Sequence, residues 1–258
     1  MRAHIVCAHP EPRSYNAHLA ATSCLALERR GWSVIVSDLY RMEFDPCERG
    51  SHYADRLDPS RFDVQAEQRH ASQAGQLPAD VAAEIARLDQ ADLLILQYPM
   101  WWHLPPAMLK GWFDRVLAYG DVYTSQKRFE HGRFAGRKAI LSVTVGTSEA
   151  TYAYDGRSGD VHLLLWPVHF TLAYVGYTVL RPFVAYGVEA GLRYSDPAAV
   201  EARLEQVAAS WAATLAKLED LPVIPFNTMA HWGKDGRVVP EAPVYSPFIR
   251  RKQRLSLE

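Results

Sequence analysis

The chain of 258 residues is 48% hydrophobic and 22% charged, with 28 Lys and Arg against 29 Asp and Glu, a formal net charge of -1. That size suits one large α/β domain or two small ones, burying roughly 70–75% of the surface of the unfolded chain. The near-zero charge carries no electrostatic footprint for nucleic acid, and it is not the acidic surface of a one-electron shuttle. Cys7, Cys24 and Cys47 are odd in number and lack C-x-x-C spacing, so neither a disulfide framework nor a zinc site is expected, and a reducing cytoplasm is the expected compartment.

The start, "MRAHIVCAHP", turns polar too soon for a secretion signal. Its "RAHIVCA" (2–8) is continuous in Val and Ile, as a central parallel strand should be. "SYNAHLAATSCLALERR" predicts a helix with Ser14 as N-cap and Gly31 past its end. "SVIVSDL" (33–39) is a second strand. A polar stretch, 41–76, shows no clear periodicity and exceeds the usual connection length, which marks it as functional or wrapping. "PADVAAEIARLDQA" predicts a helix opened by Pro78, followed by the strand "DLLILQY" (92–98), a helix over 106–117 and the strand "KAILSVT" (138–144).

"VHLLLWPVHFTLAYVGYTVL" (161–180) is long and largely apolar, but it holds His162, Pro167, His169 and Gly176 and lacks flanking basic clusters. A buried helix over 160–174 at a subunit interface, then a strand over 178–184, is expected rather than a membrane span. The last helix opens with Asp196 as N-cap and Pro197 in its first turn. Strictly alternating strands and helices predict a flavodoxin-like, doubly wound five-stranded parallel sheet with helices on both faces over residues 1–220. Residues 221–258 are Pro-rich, end in the basic "RRKQR", and are expected to form an extended tail.

Open parallel sheets bind ligands beyond the carboxyl ends of their strands. "HPEPRSYN", "PMWWHL" and "VGTSEATYAYDG" fall there. Trp101 and Trp102 either pack in the core or wall a pocket for something flat; neighbouring residues do not easily share one buried face, which favours the pocket. With Gly146 and the hydroxyls of Thr144, Thr147 and Ser148, the rim suits a flat, polar-edged ring system bearing a phosphate tail. Arg13, Ser14 and Asn16 stand at a helix start, where free N–H groups attract phosphate; capping alone is an equal reading. His9 is open to both a ligand and a merely satisfied polar role. G-x-G-x-x-G, the P-loop, G-x-S-x-G and H-E-x-x-H are all absent, which disfavours a dinucleotide Rossmann site, a hydrolase elbow and a metal centre.

"LQYPMWWHLPPAMLKGWFDRVLAYGDVYT", "ILSVTVGTSEATYAYDGRSGD", "LLLWPVHF" and "HPEPRSYN" together resemble the NAD(P)H:quinone oxidoreductases of the flavodoxin-like superfamily, the group that includes DT-diaphorase. The resemblance runs from about Ile5 to Leu218. It implies a homodimer with noncovalent FAD (FMN less so) and an active site between subunits. It also implies ping-pong hydride transfer from NAD(P)H to flavin N5, then to a quinone in the same pocket. By position, it implies that His9, Ser14, Tyr15 and Asn16 hold the phosphate and ribityl region. Pro99, Met100, Trp101 and Trp102 would lie along the ring system, and Thr144, Gly146 and Thr147 at its edge. Tyr152 would support charge on the reduced ring, Tyr123, Trp102 and His103 would line the substrate pocket, and Arg203 is the candidate for the diphosphate.

This chain departs from the family at several positions. Ser158 stands where relatives pair a histidine with the active-site tyrosine, so Tyr152 is expected to act without an imidazole neighbour, unless His103 takes that role. His103 replaces an aromatic, Ser125 replaces a second pocket tyrosine, and Asp63 replaces a neutral polar group. A flavin-binding regulatory or redox-sensing subunit is the competing reading, with the basic tail as its docking element.

Overall fold

Three strands that read as unbroken apolar runs form the middle of the fold. β1 (Arg2–Cys7), β3 (Leu93–Pro99) and β4 (Lys138–Thr144) are almost wholly buried, because a parallel sheet covered on both faces leaves no strand face for water. The structure, a computed structural model, describes residues 1–189 and 196–251. β2 (Ser33–Asp38) completes one edge, and the order is β2-β1-β3-β4-β5, all parallel. Register places Ile5 beside Ile95 and Ile95 beside Ile140.

The far edge differs from the single strand expected over 178–184. β5 (Thr178–Val179) pairs with the start of β4, and β6 (Phe183–Ala185) pairs with its end. Between them lies Pro182, which has no N–H to give a ladder. The edge is one strand position broken in two, so the sheet keeps its five positions.

Alternate side chains feed two cores. Ile5, Ile95 and Ile140 pack under α1 (Tyr15–Glu28) and the last helix (Pro197–Ala216) with Trp211. Val6, Leu96 and Val143 face the other helices with Trp112. Trp211 donates its Nε1 hydrogen to Ser23 Oγ at 2.7 Å, tying those two helices together. Ser14 caps α1 and Asp196 caps the last helix.

The polar stretch 41–76 contains a helix, α2 (Val64–Ala74), capped by Asp63 through the Ala66 N–H. No apolar periodicity announced it because its buried face is Glu67, Gln68 and Ala71. Gln68 donates to Asp114 O and accepts from the Tyr119 N–H, while Glu67 accepts from Arg56 and the Leu57 N–H. Two helices follow, α3 (Ala79–Gln90) and α4 (Ala107–Val116). Gly111 in α4 lets Pro46 lie against the helix, where a Cβ would meet Pro46 O at 2.1 Å. α5 (Val161–Tyr174) carries Pro167 within it, and the last helix is α6.

A buried polar chain runs beneath α3 and α4. His4 Nε2 lies 2.8 Å from Ser37 Oγ, Ser37 donates to Glu84, and Trp112 Nε1 donates to the other Glu84 oxygen. Burial, assisted by the charge of Arg87, pushes the His4 pKa down to about 3. Burial does the same to His169 on α5, with His162 adding to it.

Residues 221–251 run back along the broken edge. Arg181 donates its backbone N–H to Pro222 O, and Ile224 donates its own to Val179 O. Phe226 then sets its ring 4.9 Å from that of Trp166 on α5. Of the basic "RRKQR", Lys252–Arg254 lie outside the described residues. Among the described residues no helix is long and apolar enough to cross a membrane.

Candidate functional site

β1, β3 and β4 all end on one side of the sheet, and the loops that leave them make a common rim. Two of the expected residues, Asn16 and Thr144, are locked together beneath it with a third from β3. Asn16 donates Nδ2–H to Thr144 Oγ1 at 2.9 Å and accepts from Gln97 Nε2 at 2.9 Å. All three are buried, so this chain of amides fixes the first turn of α1 against the ends of β3 and β4. Gln97 was not anticipated, although an amide inside a wholly apolar strand was a signal for it.

The tryptophan segment is a tight hairpin. Trp101 and Leu104 exchange backbone hydrogen bonds, both at 3.0 Å, around Trp102 (φ 53°) and His103 (φ 63°). Positive φ at both central residues is the type I′ geometry that Asn-Gly normally occupies. Here two bulky residues hold it, at roughly 1–2 kcal/mol each. The strain turns Trp102 outward, where it is 93% exposed, and leaves Trp101 42% exposed. Core packing is thereby ruled out for both indoles. Pro99 and Met100 are buried below them, with the Met100 N–H bound to Thr144 O. His9 sets its ring edge-on to Trp101 at 5.7 Å.

The loop after β4 supplies the opposite wall. Among the described residues, Thr147 Oγ1 is buried and has no partner, and Gly146 is exposed, with only Val188 O within 4 Å of where a Cβ would stand. Thr147 O accepts the Gly187 N–H, and Arg203 donates to Tyr186 O and Gly187 O at 3.1 and 2.7 Å. Arg203 therefore ties the loop after β6 to α6 through two successive carbonyls, and the Gly187 N–H joins that loop to the one after β4. Tyr15 likewise commits its hydroxyl to Leu204 O on α6, and burial raises its pKa to about 12.

Tyr152 follows on a short 3-10 turn, Glu149–Tyr152. Gly156 closes that loop: a Cβ there would meet Ala150 O and Thr151 O, both at 2.4 Å. The Ser158 N–H binds Thr151 O, which holds the turn, while the serine hydroxyl meets no hydrogen-bond partner among the described residues. His103, however, sets its ring edge-on to Tyr152 at 6.4 Å. The tyrosine has an imidazole neighbour after all, delivered by the tryptophan hairpin. Tyr186 stands 6.4 Å from its other side, a contact the sequence did not indicate.

Tyr123 lies apart from this rim, on a cavity of about 770 Å³ between α2, α4 and α5 that Leu104 of the hairpin also borders. Its ring meets Tyr119 and Tyr174 edge-on, and Gln65 donates to its hydroxyl at 3.3 Å. Burial raises its pKa, against the opposing effect of that hydrogen bond. Ser125 is exposed nearby, and Asp63 is committed to capping α2. Among the described residues no cluster of ligands could hold a metal.

A family profile described as flavodoxin-like fold matches residues 1–215. NAD(P)H dehydrogenase (quinone) 1 of Cavia porcellus is 41% identical over 189 residues, 72% of this chain and 69% of that protein. Ribosyldihydronicotinamide dehydrogenase (quinone) of Homo sapiens is 35% identical over 232 residues, 89% of this chain and 97% of the relative. A crystal structure from Klebsiella pneumoniae, described as a candidate quinone reductase, superposes with a TM-score of 0.84 at 31% identity. It covers 93% of this chain and 95% of its own.

Proposed function

The chain belongs to the NAD(P)H:quinone oxidoreductase family of the flavodoxin-like fold, and from that premise we propose that it uses FAD to reduce quinones by two electrons at the expense of NAD(P)H. One observation carries the reading. A single rim gathers an exposed indole pair on a strained hairpin, a buried Thr147 hydroxyl with no partner, and the open first turn of α1. These are flat surfaces and donors that the fold leaves unused, and they fit the ring and phosphate of a flavin.

When bound, FAD supplies a ring that takes up and returns two electrons with a proton. The first-turn N–H groups of α1 beside Ser14, Tyr15 and Asn16 attract phosphate, aided by the helix dipole. Trp101 and Trp102 offer indole faces, with Pro99 and Met100 fixing the hairpin from below. Gly146 and Thr147 offer donors to a ring edge, and His9 steadies Trp101. Tyr152 makes no hydrogen bond to another described side chain, so its phenolic hydrogen is free to meet negative charge at that edge. The length of the 41–76 segment and the position of α6 favour FAD over FMN, because they provide wall for an adenylate half.

NAD(P)H and then the acceptor occupying the same exposed rim in turn make the kinetics ping-pong. A second copy of the chain, covering the Leu104–Tyr123 cavity, would bring Tyr123 to the substrate and make the working unit a homodimer. The test is direct. Chromatography of the released cofactor identifies it, and steady-state oxidation of NADPH with a quinone gives parallel double-reciprocal lines. FMN as the only species overturns the cofactor assignment. A yellow protein that oxidises NAD(P)H with no quinone overturns the enzyme reading in favour of a redox-sensing subunit.

A further inference from the structure

The aromatic wall of the 770 Å³ cavity ends beside a cation with almost nothing to bind. Arg128 forms no ion pair with any described carboxylate. Among the described residues its one polar contact is a 3.4 Å bond from Nη1 to the Tyr174 hydroxyl, and its Nε–H is buried with no partner. The guanidinium carbon lies 5.9 Å from the Tyr174 ring centre and 6.0 Å from that of Phe129. A guanidinium has five donors arranged to grip a planar oxyanion. Leaving them unused in a part-buried position is unfavourable.

The two carboxylates that line the cavity, Asp114 and Glu48, already have partners. Lys110 grips both oxygens of Asp114, at 2.6 and 2.7 Å, and Glu48 accepts from Tyr53 and Gln68, both at 3.1 Å. A second guanidinium, Arg69, lies 4.6 Å over Tyr119 and also lacks a carboxylate partner. The Tyr123–Tyr174 side of the cavity, with Tyr119 packed against Tyr123, thus has a guanidinium at each end. The cavity volume falls within the usual range for small-molecule sites.

We infer that Arg128 is a specificity-determining residue for the acceptor: the cavity selects aromatic quinones bearing a carboxylate or sulfonate, whose ring lies on the tyrosine wall and whose anion binds Arg128. This deepens the acceptor role given above to Tyr123 and rests on it. Arg128 takes no part in electron transfer.

The experiment compares menadione with 1,2-naphthoquinone-4-sulfonate, using NADPH and the flavin-loaded protein, in wild type, Arg128→Met and Arg128→Lys. A charge-assisted hydrogen bond lost on truncation raises KM about tenfold or more. The expected result is that rise for the sulfonate in Arg128→Met, a smaller one in Arg128→Lys, and menadione KM within about twofold throughout. In wild type, added salt should raise KM for the sulfonate alone. An unchanged ratio of the two KM values in Arg128→Met, or equal salt dependence in wild type, overturns the inference. Titration with 2-naphthalenesulfonate, which cannot be reduced, separates the two claims. If no quinone is turned over but this anion binds wild type and not Arg128→Met, the reductase reading falls and the anion site stands. If it binds both equally or neither, the anion site falls.

Discussion

Replacing Tyr152 by Phe removes a hydroxyl that has no structural duty. It makes no hydrogen bond to another described side chain, and the turn that holds it is fixed by backbone contacts and Gly156. Loss of one donor aimed at developing charge costs on the order of 10²–10³ in rate. The rival contributor is His103, edge-on at 6.4 Å. A unit charge at about that distance in a water-like dielectric is worth about 0.6 kcal/mol, or a factor of about three. Charge beyond the Tyr152 hydroxyl is farther still, so threefold is the ceiling for this exposed imidazole. The hydroxyl should therefore dominate. Stopped-flow reduction of the bound flavin by NADPH should slow by about 10²–10³ in Tyr152→Phe. In His103→Ala it should change by no more than about threefold. A Tyr152→Phe rate within about twofold of wild type, far below the donor effect, refutes the donor role. A tenfold or larger loss in His103→Ala, well above the charge effect, moves that role to the histidine.

Other outcomes follow from the same geometry. Asn16→Leu strands the Gln97 amide and the Thr144 hydroxyl in a buried place, so urea unfolding should show a loss of about 2–5 kcal/mol with weaker flavin retention; a loss under about 0.5 kcal/mol would mean water replaces the network. His4 and His169 bind a proton near pH 6.5 when unfolded but only near 3 when folded. Their stabilisation is thus complete above about pH 6.5 and drains as pH falls toward 3, by about 1.4 kcal/mol each between pH 7.5 and 5.5. Unfolding at those two pH values should show the drop, and His169→Gln should remove about half of it; equal stability at both would refute the assignment. Light scattering should report a dimer at micromolar concentration, since the Leu104–Tyr123 cavity is otherwise open; a fully active monomer would sink this.

How much was legible depended on what buries each element. β1, β3 and β4 announced themselves because both their faces are covered by apolar helices, and Ser14 and Asp196 because a cap is a local act. α2 was hidden because Glu67 and Gln68 do its packing through hydrogen bonds, and hydropathy does not register a buried carboxylate held by Arg56. The broken edge at Pro182 was written in the sequence, since proline cannot continue a ladder, but the apolar run across 178–184 outweighed it.

The site divides in the same way. That Trp101 and Trp102 would not share a core followed from their adjacency alone. That His103 would reach Tyr152 did not, because it depends on two consecutive residues adopting positive φ, which neither prefers. The Trp101–Leu104 backbone pair imposes that conformation, and a pairing between residues three apart at a strand end leaves no trace in composition or periodicity. The hairpin sets an imidazole edge-on to the tyrosine at 6.4 Å from the opposite loop, so the sequence position of the missing histidine was a poor guide to which rings surround Tyr152 in space.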